Sequence, residues 1–253
     1  MNLTDSLDLG EREVVALVGG GGKTTAMYRL CREAAARGRR AVASGTARFT
    51  LPPGRLTSPL LVHRDEGELL RAVRPRLANA GSWVIAATGL GSKERLLPIS
   101  NDMVAILAAE PEIDLLALEA DGSALRPFKA PAEHEPVVPE AATLVIAVVG
   151  ADIFGRPLDP TWVHRPERVA HLTGASLGDR VTAAMVARVL CHEEGGRKGV
   201  PAGARFMVLI NKVSARRLTA AREAADLLTG SGVQRVVLAQ VAEEPPVVEV
   251  RTA

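Results

Sequence analysis

The stretch VVALVGGGGKTTAMYRL, residues 14–30, does most to restrict what this chain can fold into. An unbroken apolar run meets four glycines, then Lys23, Thr24 and Thr25, then a segment with Met27, Cys31 and Ala35 at helical spacing. That order reads as a buried strand, a tight turn and an amphipathic helix. Glycines let successive backbone N–H groups converge on an anion, and the helix N-terminus adds partial positive charge. A lysine directly after them suits terminal phosphate oxygens, and the hydroxyl that follows suits Mg²⁺. Gly19, Gly20, Gly21, Gly22, Lys23, Thr24 and Thr25 are therefore the expected nucleotide loop. Leu17 stands where the GxxxxGK(S/T) spacing has its first glycine, so Gly19 and Gly22 supply the turn. A dinucleotide fingerprint is excluded, because Thr24 replaces its third glycine and no acid stands at residues 41–46.

Further apolar runs at residues 40–43, 83–87, 114–119, 143–149, 205–210 and 235–238 read as strands, with the first strand at 13–18. Their continuous rather than alternating hydrophobicity suits parallel strands covered on both faces. Helical patterns at 24–36, 66–78, 101–109, 182–190 and 215–228 fall between them. The alternation predicts an α/β fold, a doubly wound, mostly parallel sheet, in one domain over 1–253. Residues 164–203, with helices of their own, could form a small helical insertion or subdomain beside the last two strands. Segments 120–140 and 150–161 are rich in Pro, Gly and charge, and connections of that length usually carry function or motion.

A phosphate loop needs a carboxylate at the end of a neighbouring strand to hold its metal. IDLLALEADGS, residues 113–123, offers Glu119 and Asp121. Asp121, followed by glycine, is expected to hold Mg²⁺ with Thr24, and Glu119 to orient an attacking water or Lys129. In FMVLINKVSA, residues 206–215, a strand ends in Asn211 and Lys212. Guanine-selective proteins carry NKxD there, but Ser214 occupies the Asp position and cannot accept two hydrogen bonds from guanine. Asn211 and Lys212 are expected to flank a purine, and ATP or GTP remain equally open.

The segment EADGSALRPFKAPAEHEPVVP, residues 119–139, gathers Arg126, Lys129 and His134 next to the proposed metal acid, as a substrate or switch loop would. His164 and His171, seven apart, are expected to share one helical face. Lys93 after one strand, and Thr46 and Arg48 after another, are placed by position alone at the ligand-binding ends of strands. Of the 31 basic residues 26 are Arg and five are Lys: Lys23, Lys93, Lys129, Lys198 and Lys212. Each of the five falls in a segment singled out for other reasons. Lysine is a compact charge suited to a phosphate oxygen, so the five are expected to line one nucleotide and substrate cleft.

Aromatic residues make up only 3%, which argues against a stacking platform for single-stranded nucleic acid, and the net charge is only +2. Cys31 and Cys191 have no paired spacing that would indicate a zinc knuckle or a disulfide framework. The first 15 residues carry acids where a secretion signal needs positive charge, and the longest nearly apolar stretch, 141–151, is about half a membrane span. A soluble, cytoplasmic protein is expected, without nucleic-acid or membrane partners.

Taken together, VGGGGKTT, EADGS followed by KAPAEHEPVVP, DIFGRPLD, VHRPE, and HEEGGRKGVPAGAR before LINK resemble the YqeC family of accessory proteins for selenium-dependent molybdenum hydroxylases. The resemblance runs from Val14 to about Lys212. It implies a P-loop NTPase-like fold and a role in preparing or inserting the selenium-containing molybdenum cofactor, with a molybdenum hydroxylase or a selenium-donor protein as partner. By the same match Gly19 to Thr25 form the nucleotide loop, Glu119 and Asp121 the acidic pair, and Lys129, His134, His164, Arg165 and Lys198 a family-specific shell. Related metal-centre NTPases often carry a lysine at the start of the loop, where Val18 stands here, so a lysine acting across a dimer is not expected. Three functions follow as expectations: an Mg²⁺-dependent nucleoside-triphosphate hydrolase, a phosphoryl or nucleotidyl transferase acting on a selenium or pterin species, or a non-catalytic nucleotide-gated binding protein.

Overall fold

The structure, a computed structural model, describes residues 1–51, 58–92 and 95–253. In chain order the first half contains α1 (Leu3–Ser6), β1 (Glu13–Gly19), α2 (Lys23–Ala36), β2 (Ala41–Gly45), β3 (Phe49–Thr50), β4 (Leu60–Val62), α3 (Glu66–Arg76), β5 (Trp83–Ala87), β6 (Gly89–Leu90), β7 (Arg95–Leu97), α4 (Asn101–Ala109) and β8 (Leu115–Glu119). The second half adds β9 (Phe128–Lys129), β10 (Leu144–Gly150), β11 (Val163–His164), α5 (Pro166–Thr173), α6 (Ala183–Cys191), β12 (Arg205–Asn211), α7 (Leu218–Gly230), β13 (Arg235–Ala239) and β14 (Val247–Thr252).

Nine strands form one sheet in the order β14-β13-β12-β10-β1-β8-β2-β5-β4. All neighbours run parallel except the edge pair β13 and β14. The central strands are buried on both faces, which is why their sequences are apolar without alternation. Val15 and Leu17 of β1 face α1 and α2, packing with Met27, Leu30 and Cys31. On the opposite face Ala16 and Val18 share a core with α5, α6 and α7, and Val14 shares one with α3 and α4. Helices thus cover both faces of a mostly parallel sheet, the doubly wound α/β arrangement.

The seven strands read from sequence all form, with ends displaced by at most two residues, as is usual of strand boundaries. Segment 164–203 contains α5 and α6, whose Val169, Leu172, Val186 and Val189 belong to the same buried cluster as Ala16 and Val145 of the sheet. One expectation fails there. His164 lies in β11 and His171 in α5, so the two share no helical face. Arg165 takes a left-handed backbone with φ of 62°, and Pro166 opens the helix, its fixed φ and missing N–H suiting the first turn.

Segment 120–140 is anchored at its middle, where Phe128, Lys129 and Ala130 are buried, while Leu125 and His134 are exposed. Its β9 pairs in parallel with β11, a ladder of two residues. The Lys198 ammonium holds the segment further by donating to the carbonyls of Ala132 and Glu133 at 2.7 and 2.9 Å. No helix among the described residues is long and apolar enough to cross a membrane.

Candidate phosphate-binding site

The chain leaves β1 for β2 on one side, inserts β8 between them, and then crosses to β10 on the other side of β1. Such a reversal opens a crevice at the carboxyl ends of the strands, where ligands of open α/β sheets bind. The glycine loop between β1 and α2 occupies that position.

Within the loop the glycines serve packing more than ligand binding. The Gly19 N–H donates to both Asp121 oxygens at 3.0 and 3.1 Å. The Gly20 and Gly21 N–H groups donate to the carbonyls of Val148 and Arg126 at 2.8 and 3.1 Å. A Cβ at Gly20 would lie 2.6 Å from the Arg126 carbonyl oxygen, and one at Gly21, where φ is 80°, would collide with the backbone of Gly150. Neighbouring backbone is simply too close for a side chain. The expectation that all four glycine amides face the ligand is therefore corrected: those of Gly19, Gly20 and Gly21 are already engaged. By contrast, the N–H groups of Gly22, Lys23, Thr24 and Thr25 have no acceptor among the described residues. They open the 14-residue helix α2, whose first-turn donors cannot be satisfied within the helix.

The side chains complete this end. Thr24 Oγ1 donates to Glu119 Oε2 at 2.5 Å. Lys23 Nζ donates to the Gly19 carbonyl at 2.6 Å and lies 3.1 Å from Asp121 and 3.7 Å from Glu119. Burial disfavours the charged lysine, but the adjacent charges of Asp121 and Glu119 outweigh it and raise the Lys23 pKa. Burial also raises Glu119 above the usual carboxylate range, against the opposing pull of Lys23 and the Thr24 hydroxyl. The two acids are thus arranged in the reverse of the sequence expectation. Glu119 meets Thr24, whereas Asp121 turns to the lysines. Glu119 is the last residue of β8 and pairs with Leu17 of β1, and its side chain reaches the Thr24 hydroxyl, while Asp121 lies two residues further on, beside the glycine loop, where it accepts from the Gly19 N–H.

Behind the loop, Asp121 joins a chain of charges. Lys129 Nζ lies 3.0 Å from Asp121 and 2.7 Å from Glu135, and Arg165 lies 2.6 Å from Glu135. Burial would raise the Glu135 pKa, but hydrogen bonds from Arg165 and Lys129 pull it down to about 2. Burial, with Arg165 and Lys129 nearby, lowers His164. Lys129, Arg165 and His164 thus gather behind the loop. Lys129 and Lys198 do not line the cleft, whereas Lys23 and Lys212 do. Lys93 lies outside the described residues.

Asn211 is a brace. Its Nδ2 donates to the Gly21 carbonyl and its Oδ1 accepts from the Val241 N–H, both at 2.9 Å, in a position only 4% exposed. With both amide ends in use, its role as a purine flank gives way to holding the loop against the turn after β13. Lys212 is ion-paired with Asp152 at 2.9 Å. Arg126 clamps its own segment, donating to the carbonyls of Pro160 and Ala124 at 3.0 and 2.7 Å. His134 is exposed.

The far wall of the cleft carries residues that the motifs underweighted. Arg48, Thr50 and Arg95 line it together with Ser123. Arg95 has no motif around it. A strand pairing of two residues, β3 with β7, places it there, and no sequence period marks so short an element.

These features can be set beside known proteins. The family described as YqeC protein matches residues 15–167. A protein of Escherichia coli (strain K12) named "Uncharacterized protein YqeC" is 30% identical over 247 residues, spanning 95% of this chain and 93% of that protein. No solved structure gives a significant match. With the family match covering more than half of the chain and the relative aligned along nearly all of it, the chain belongs to the YqeC family.

Proposed function

We propose that the protein binds and hydrolyses a nucleoside triphosphate, ATP or GTP, with Mg²⁺, and that this activity serves maturation or insertion of the selenium-containing molybdenum cofactor of hydroxylases. The observation that carries the nucleotide reading is the set of four N–H groups, Gly22 to Thr25, that have no partner among the described residues, beside the Lys23 ammonium at the sheet's crevice. Converging amides at a helix N-terminus favour a polyphosphate. The cofactor role rests on the motifs shared with the family.

The residues present fit Mg²⁺. A hydroxyl and a carboxylate 2.5 Å apart offer the hard oxygen donors it prefers. Among the described residues no cluster of three or more His, Cys, Asp or Glu could form an all-protein cage. That also suits Mg²⁺, which usually keeps waters and takes one or two protein ligands plus substrate phosphates. In this reading Thr24 and Glu119 hold the metal, Lys23 and the four amides hold the β- and γ-phosphates, and Asp121 holds Lys23. Held by Thr24 and Glu119, a divalent cation would supply positive charge to offset the negative charge of the phosphates. Lys23 must turn from Asp121 to reach a phosphate, and Lys129 remains to neutralise the acid it leaves.

Purified protein incubated with ATP, GTP and CTP, with and without Mg²⁺, tests the proposal. Metal-dependent phosphate release that disappears in Lys23→Ala is expected. Undiminished nucleotide binding by Lys23→Ala would overturn the site assignment.

A further inference from the structure

The cleft has two cationic walls, and the nucleotide accounts for one. On the loop wall stand the α2 amides and Lys23. Opposite, the pairing of Thr50 with Arg95 and of Phe49 with Leu96 fixes which way each side chain points. Phe49 and Leu96 are 1% and 0% exposed and face the core. Alternation turns Thr50 and Arg95 the other way, and Arg48, two residues before Thr50, falls on their side as a diagonal neighbour of Arg95. All three line the cleft.

This wall is fixed to the phosphate loop at two points. The Tyr28 hydroxyl on α2 donates to the Thr50 carbonyl at 2.8 Å. The N–H groups of Thr46 and Ala47 donate to the Glu119 carbonyl at 3.1 and 3.2 Å, so the turn that carries Arg48 is tied to the acid beside Thr24. Neither Arg48 nor Arg95 has a carboxylate partner among the described residues. Two like charges lining one cleft repel, and an anion bound to both relieves that cost. Arginine's planar fork binds an oxyanion through paired N–H groups, where lysine supplies a point charge.

We infer that Arg48 and Arg95 form a second anion site, for the phosphate group of a small molecule held in the cleft together with the nucleotide. The inference rests on the nucleotide reading above and gives that site its second substrate class, a phosphorylated small molecule facing the terminal phosphate across the cleft. Thr50 adds a hydroxyl, and Ser123 a second from the loop after β8.

The test is a calorimetric titration of inorganic phosphate, and separately of methyl phosphate, into the free protein. Both are repeated on protein saturated with Mg²⁺ and the non-hydrolysable imido analogue of ATP or GTP, which fills the γ-phosphate position. Expected are binding of both probes in the saturated protein and at least tenfold weaker binding in the Arg48→Ala/Arg95→Ala variant, with partial recovery in Arg48→Lys/Arg95→Lys. Failure of both probes to bind the saturated wild-type protein would overturn the inference, as would an equal loss of analogue affinity in the alanine variant. Binding of inorganic phosphate with exclusion of methyl phosphate would also overturn it, since the arginines would then serve released γ-phosphate. Should neither analogue bind, the nucleotide reading fails while the free protein still decides the second site. Phosphate binding kept by Lys23→Ala and lost by the arginine variant would uphold it; loss by Lys23→Ala alone would overturn it.

Discussion

Thr24 Oγ1 lies 2.5 Å from Glu119 Oε2, joining the first turn of α2 to the carboxyl end of β8. This contact, rather than any involving Asp121, brings a hydroxyl and an acid together at the mouth of the cleft. It separates the two acids of the EAD triplet by contact, Glu119 with the Thr24 hydroxyl and Asp121 with Lys23 and Lys129. Replacing Glu119 by Gln is expected to keep the fold and to lower Mg²⁺-dependent hydrolysis roughly a hundredfold, by analogy with loss of one group stabilising transition-state charge. Phosphate release measured across an Mg²⁺ titration checks this, and near-normal turnover in Glu119→Gln would remove Glu119 from the metal site.

Asp121 should behave differently. Its carboxylate sits between Lys23 and Lys129, with all three side chains 2% exposed or less. Asp121→Asn leaves two buried ammonium groups short of an anion and is expected to destabilise the protein by about 3 kcal/mol. Urea denaturation of this variant beside Glu119→Gln distinguishes the roles: the larger loss of stability belongs to Asp121.

Glu135 provides a pH dependence whose sign is fixed by its partners. Hydrogen bonds from Arg165 and Lys129 prevail over burial and hold its pKa down to about 2, against an ordinary value of 4.5. The folded state therefore binds the proton less readily than the unfolded chain. The stabilisation is complete above about pH 4.5 and is lost as pH falls towards 2. After screening at this partly exposed position, a contribution on the order of 2 kcal/mol is expected at neutral pH. Glu135→Gln should flatten the acid limb of stability between those limits, as followed by denaturant midpoints at several pH values.

The loop glycines are expected to rank by what a methyl group would strike. At Gly21 it meets the backbone of Gly150, which cannot turn aside, while at Gly22 it meets the Asn211 side-chain amide. Both positions have positive φ, 80° and 125°. Gly21→Ala should lose about 3 kcal/mol or more, as expected for combined strain and overpacking, and Gly22→Ala less. Thermal melts of the two variants measure the order directly; Gly22→Ala should additionally weaken nucleotide binding, because its amide faces the cleft.

Much of the fold is legible in the sequence because burial on both faces writes itself into composition. Residues 83–87, 115–118 and 144–149 are continuously apolar, as a strand covered on both sides requires. Short or edge elements leave weaker traces. The two-residue strands β3, β9 and β11 have no period to read, and β14 is an amphipathic antiparallel edge whose residues are only partly buried or exposed. At the site, strand, glycines, lysine and threonine are local in sequence, and their order alone nominated Lys23 and Thr24.

What the sequence determined by itself is the chemistry on offer: a glycine loop opening a helix, two acids two residues apart, and a few lysines set against many arginines. Tertiary structure decided which group meets which. Packing of α2 against the end of β8 brought Thr24 to Glu119 and left Asp121 to Lys23 and Lys129. Close approach of Val148 and Arg126 engaged the N–H groups of Gly20 and Gly21, so that the available donors are those of Gly22 to Thr25. A pairing between segments 45 residues apart brought Arg95 opposite Thr50. Such assignments depend on distances of a few ångströms between chain segments far apart in sequence. Residue type and spacing specify the local element, but the packing of strands and loops sets those distances.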